Sequence, residues 1–145
     1  MKRQFLTLVT GAALLAGGAM AHEDVENPTV KARMEVMETI RDNFGTIASM
    51  AQGKTAFDAA AAANAKAAAL EASTDITTVF ETEAMDPKSE AKPEIWTNWD
   101  DFADKAAALE TSLSGLDTES LEAMKAGFRT VAGACGACHK AYRTE

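Results

Sequence analysis

The last quarter of the chain carries the cleanest pattern of apolar positions. Leu121, Met124, Phe128, Val131, Cys135, Cys138 and Tyr142 succeed one another at steps of three and four. That spacing keeps all seven side chains on one face and predicts an amphipathic helix from Asp117 or Thr118 to about Tyr142. Near the other end, Val30, Met34, Met37, Phe44, Ile47 and Ala51 repeat the pattern, with Ile40 inside its one gap of seven. They predict a first helix that opens near Pro28-Thr29, runs to about Gln52 and is closed by Gly53. Thr55, with Asp58 three residues on, is the expected N-cap of a second helix through the alanine run to about Ser73. Ile95, Trp96, Trp99, Phe102, Ala106, Leu109 and Leu113 predict a third, from near Pro93 to about Ser114, ended by Gly115. Between Asp75 and Pro93 the periodicity fails. Ile76, Val79 and Phe80 predict one helical turn, followed by a loop too long for a tight connection and expected to pack over something.

Four helices, two of their three joints short, predict an all-α, antiparallel four-helix bundle in a single domain. Composition agrees. From His22 onward there are 26 Ala but only five Val and four Ile, and alanine favours helix where β-branched residues favour strand. The second helix has few large side chains beyond Phe57 and Leu70. Its small face permits close approach of another helix or of another subunit, so a homodimer is a possible assembly.

The first residues belong to a different class of segment. Lys2 and Arg3 precede an uncharged apolar stretch from Phe5 to Gly18, and Ala19-Met20-Ala21 is an A-x-A cleavage site. This is the layout of a secretory signal peptide over residues 1–21, too short in its apolar part for a comfortable membrane span. The expected mature chain is residues 22–145, exported to the periplasm. The formal net charge of −8 becomes about −10 without the two basic residues of that segment. So acidic a surface excludes nucleic acid as a partner class and disfavours anionic membranes. It would steer basic soluble partners toward the protein.

Cys135 and Cys138 are too close in sequence to close a useful loop, so chemistry explains them better than structure. With the residues between and after, they read Cys135-Gly136-Ala137-Cys138-His139, the C-x-x-C-H signal of c-type haem attachment. Two thiols add to the two vinyl groups of haem to give thioethers, and the adjacent histidine turns its ring under the iron. A redox disulfide would want a preceding strand, and none is predicted. A zinc site would want four ligands, yet beyond this cluster the other histidine is His22 alone. Both thiols lie on the predicted inner seam, which places the haem between helices. Opposite His139, methionine is the realistic donor, and Met34, Met37, Met50, Met85 and Met124 are the candidates. Met124 shares a helix with His139, about four turns earlier, so it cannot easily reach the opposite haem face.

Over its mature length the chain resembles class II c-type cytochromes, the cytochrome c′ and cytochrome c-556 family. The resemblance rests on Cys135-Gly136-Ala137-Cys138-His139-Lys140-Ala141-Tyr142-Arg143. It is supported by Arg33-Met34-Glu35-Val36-Met37 and by Pro93-Glu94-Ile95-Trp96. It implies one covalent haem c held by Cys135 and Cys138, with His139 as an axial ligand. The methionine-ligated branch places its ligand four residues after an arginine of the first helix, a spacing that Arg33 and Met37 match. Met34 is the second choice, and core filling by Met37 is the competing role. Arg33 is expected to pair with a haem propionate, or else to be a solvated helix charge. Trp96 is expected to wall the porphyrin. Arg143, four residues after His139, is expected near the imidazole edge or as a complement to the helix dipole.

A single-electron carrier follows, not an enzyme, with a redox partner that bears a basic patch. The rival reading leaves Met37 uncoordinated and the iron five-coordinate, open to nitric oxide or carbon monoxide. A peroxidase has no distal histidine to use.

Overall fold

The computed structural model describes residues 24–144, so the signal segment and its cleavage site lie outside the described residues. Four long helices are present: α1 (Pro28–Ala51), α2 (Ala59–Thr74), α5 (Trp99–Ser114) and α6 (Leu121–Tyr142). Two short ones, α3 (Ile76–Phe80) and α4 (Glu94–Thr97), lie in the long connection between α2 and α5.

The caps explain where these helices start and stop. Asn27 caps α1 by accepting from the Thr29 and Val30 N–H groups, and Gly53 ends it in the left-handed conformation, φ 71°. Asp58, not Thr55, caps α2, its carboxylate accepting from the Ala61 N–H at 2.9 Å. Ser120, not Asp117 or Thr118, caps α6. The expected single helix from Pro93 to Ser114 is broken at Asn98, whose φ of −123° and ψ of 44° are not helical. The break turns Trp96 toward Phe80, where its indole N–H donates to the Phe80 carbonyl at 2.8 Å. Trp99 meanwhile packs on Phe102, with ring centroids 5.5 Å apart.

The long helices form a ring in which α1 packs on α2, α2 on α5, α5 on α6 and α6 on α1. The start of α1, the end of α2, the start of α5 and the end of α6 share one end of the bundle. Arg33 reaches α3 and Trp96, and Tyr142 reaches Asp101. Neighbouring long helices are therefore antiparallel, as the connections predict. Along the predicted seams, Val30, Ile47, Met124 and Val131 are fully buried, as are Phe102 and Leu113. On α2 the buried face is Ala62, Ala65, Ala69 and Ser73, so the small residues serve close packing within one chain. At Gly127 a Cβ would stand 2.8 Å from the Leu116 side chain. Its absence lets the loop before α6 tuck onto that helix.

Residues 81–93 cross the end of the bundle as a strap tied down at three places. Asp86 accepts from the Glu26 and Asn27 N–H groups, each at 3.1 Å, which anchors the strap to the start of α1. Residues 90–92 pair with the end of α6 through an isolated antiparallel bridge, Ala91 to Arg143. The third tie, where α3 passes into the strap, is Arg33, 2% exposed. Its Nε donates to the Val79 carbonyl at 3.0 Å and its Nη1 to Ala84 at 2.8 Å, while Nη2 donates to Thr82. The guanidinium lies 4.9 Å from the ring centroids of both Phe80 and Trp96. A solvated helix charge is thereby ruled out.

Burial lowers the pKa of Arg33, yet three carbonyls and two ring faces hold the charge in place. Arg33→Met keeps the volume and removes all three donors. Because Thr82 is exposed, part of the loss is recovered by water. The expected cost is about 2 kcal/mol, a fall in Tm of roughly 6 °C, which a thermal melt followed by circular dichroism reads directly.

Candidate functional site

The last two turns of α6 carry Cys135, Cys138 and His139. Both cysteines are free thiols, half-buried, and pack against the core. Desolvation pushes both thiols up, so they remain protonated near neutrality. His139, one turn after Cys135 and on nearly the same side of the helix, is exposed. Its pKa is lowered, first by desolvation and then by the Arg143 charge, with Glu90 acting in the opposite sense. The shift favours the neutral imidazole, the form that donates a lone pair to a metal.

The register between α1 and α6 places the methionines. Phe44 and Phe128 stack with centroids 5.1 Å apart and planes 9° from parallel. Met37 lies seven residues before Phe44, and Cys135 seven residues after Phe128. In antiparallel helices both steps run about 10 Å toward the same end, and two turns restore the same face. Met37 and Cys135 therefore stand level across the α1–α6 interface, and Met37 is half-buried against the core. Met34 is half-buried one turn nearer the end. Met50 and Met124 are buried at the far end of the bundle, and Met85 is 51% exposed on the strap. Two inward thiols, a neutral imidazole one turn from Cys135 and a thioether level with it form a donor set that fits a covalently tethered, axially ligated haem.

Arg33 and Trp96 are brought together by the strap. Between them they commit four N–H groups to backbone carbonyls, which leaves two of the five guanidinium N–H groups of Arg33 for a further acceptor. Trp96 and Trp99, with Glu81 and Glu83, line an open recess of about 390 Å³ at this end.

Two pairings escaped the sequence reading because their members are 41 and 53 residues apart. Arg143 donates through Nε to Glu90 at 2.5 Å. The Tyr142 hydroxyl donates to Asp101 at 2.5 Å, and this bond is the main reason the phenol is pushed up to about 12 and the carboxyl down. The signs follow from linkage. A raised phenol pKa stabilises the fold fully below its unfolded value of 10. That contribution disappears as pH rises through about 12. The lowered Asp101 contributes above the ordinary carboxyl value of 3.8, and that contribution is lost as pH falls through its folded pKa. The melting temperature is expected to fall between pH 10 and pH 12, and to fall less steeply in Tyr142→Phe. Parallel melts of the two proteins across that range check it.

Residues 28–143 match the profile of a family described as Cytochrome C′. A cytochrome c-556 from Agrobacterium fabrum is 35% identical over 136 residues, an alignment covering 90% of this chain and 87% of that protein. The crystal structure of cytochrome c′ from Rubrivivax gelatinosus aligns with a TM-score of 0.71 at 29% identity, covering 80% of this chain and 94% of that one. A leucine-to-alanine variant of cytochrome c prime from Alcaligenes xylosoxidans, in complex with nitric oxide, aligns with a TM-score of 0.72 at 28% identity, covering 81% and 94%. Among the described residues no helix is long and apolar enough to cross a membrane.

Proposed function

Because this chain belongs to the cytochrome c′ family of class II c-type cytochromes, haem proteins whose haem c is covalently attached, we propose that it is a periplasmic carrier of single electrons. Cys135 and Cys138 hold the haem through thioethers, and His139 and Met37 are its axial ligands. The observation that carries this reading is the Phe44–Phe128 stack, from which two further helical turns on each side bring Met37 and Cys135 toward the same level of the α1–α6 interface.

The bound group supplies a metal that changes oxidation state by one electron. The chain's own residues do the rest. His139 and Met37 would both hold the metal in either oxidation state, so the transfer would need little ligand rearrangement. A thioether donor paired with an imidazole would favour the ferrous state and raise the potential. Arg33, with two N–H groups to spare, pairs with a propionate while it holds the strap, and Trp96 walls the porphyrin edge. The acidic surface docks a partner through a basic patch. Export ends with cleavage after Ala21, and a homodimer through the first two helices belongs to the same reading.

A second reading has support in the solved relatives, since the Alcaligenes xylosoxidans protein is described with nitric oxide bound. In that case Met37 is core filling and the iron is five-coordinate. Absorption spectra of the ferric, ferrous and carbon monoxide-treated protein separate the two. A carrier shows a low-spin spectrum and slow, partial carbonyl formation. Rapid, complete carbonyl formation with a high-spin ferrous spectrum would transfer the assignment to gas binding.

A further inference from the structure

Beyond the attachment motif, the turn that carries His139 is held by an ion pair that no local sequence pattern announces. Arg143 follows the last residue of α6, and its N–H donates to the His139 carbonyl at 2.9 Å. Its side chain folds back to the strap, where Nε and Nη2 both donate to one carboxylate oxygen of Glu90. Glu90 is itself fixed by backbone. Its carbonyl accepts from the Thr144 N–H at 2.8 Å, and two residues on, the Lys92 N–H donates to the Tyr142 carbonyl at 2.9 Å. A rigid bridge thus sets one negative and one positive charge beside the histidine turn.

We propose that Glu90 is a positioning residue for electron transfer, holding Arg143 beside the His139 turn and cancelling its charge, so that the pair sets the reduction potential of the iron. This rests on the reading of His139 as an axial ligand. The physical basis is Coulombic: adding an electron to the iron is favoured by an unpaired positive charge nearby and opposed by an unpaired negative one. Both side chains are about half exposed, at 51% and 55%, so solvent weakens the effect but does not remove it. Both charges also act on the His139 imidazole, in opposite senses.

The test is a spectroelectrochemical titration of the holoprotein and four variants. Glu90→Gln leaves Arg143 unpaired and is expected to shift the reduction equilibrium about fivefold toward ferrous, a rise of about 40 mV. Arg143→Gln leaves Glu90 unpaired and is expected to shift it in the opposite direction by a similar factor. The double variant returns close to the wild-type potential, and Glu90→Asp, which keeps the charge, stays near it. A purely structural clasp would move both single variants the same way, or neither. Either result, or a double variant that fails to return, overturns the proposal. The carrier reading is judged separately on the wild type, which must titrate reversibly with one electron.

Discussion

Replacing Met37 with alanine is expected to raise the affinity of the ferrous protein for carbon monoxide about a hundredfold and to convert a low-spin haem to a five-coordinate one. With a thioether on the sixth position, the binding-competent protein is the fraction whose methionine has let go, a minor state on the order of 1%. Apparent affinity scales with that fraction. Removing the sulfur brings the fraction to one, hence the hundredfold change. The side chain is half-buried against the core, so the smaller residue also leaves room for a diatomic ligand. Stopped-flow carbonyl formation measures the gain. Met34→Ala is the matched comparison and should leave the rate unchanged. A wild-type rate already equal to that of Met37→Ala would show that Met37 is no ligand.

The double substitution Cys135→Ser with Cys138→Ser is expected to abolish covalent attachment and to lower the thermal midpoint by roughly 15 °C. Each thiol is half-buried and faces the core, so each delivers its thioether to the interior of the bundle. A tethered group is present at an effective concentration of millimolar order. Against micromolar intrinsic affinity, that stabilises the folded state by about 4 kcal/mol. Either single substitution keeps one thioether and most of the stability. Differential scanning calorimetry of the three proteins, with haem content measured on the same samples, decides the matter. A double variant that melts with the wild type would mean the site contributes nothing to the fold.

How much of this was legible beforehand varies by element. The seam of α6 announced itself because steps of three and four repeat without interruption, and the attachment motif because its spacing is local. Helix ends were less legible. Thr55, Asp58, Thr118 and Ser120 are all acceptable caps by type, and only the backbone shows which hydroxyl or carboxylate reaches a free N–H. The break at Asn98 was hidden because apolar residues on both sides fit one helical stripe. What the stripe cannot show is that Trp96 has a better partner in the Phe80 carbonyl. Arg33 was legible as significant but not as buried. Its three carbonyls come from α3 and the strap, some 50 residues away, which no local pattern foretells. Glu90 escaped for the same reason.

The most direct measurement of the central claim is the intact mass of the purified holoprotein after denaturation in acidified organic solvent. One species is expected, the chain from His22 plus a single haem, with the colour staying on the polypeptide. A bare polypeptide mass with pigment in the solvent would contradict it.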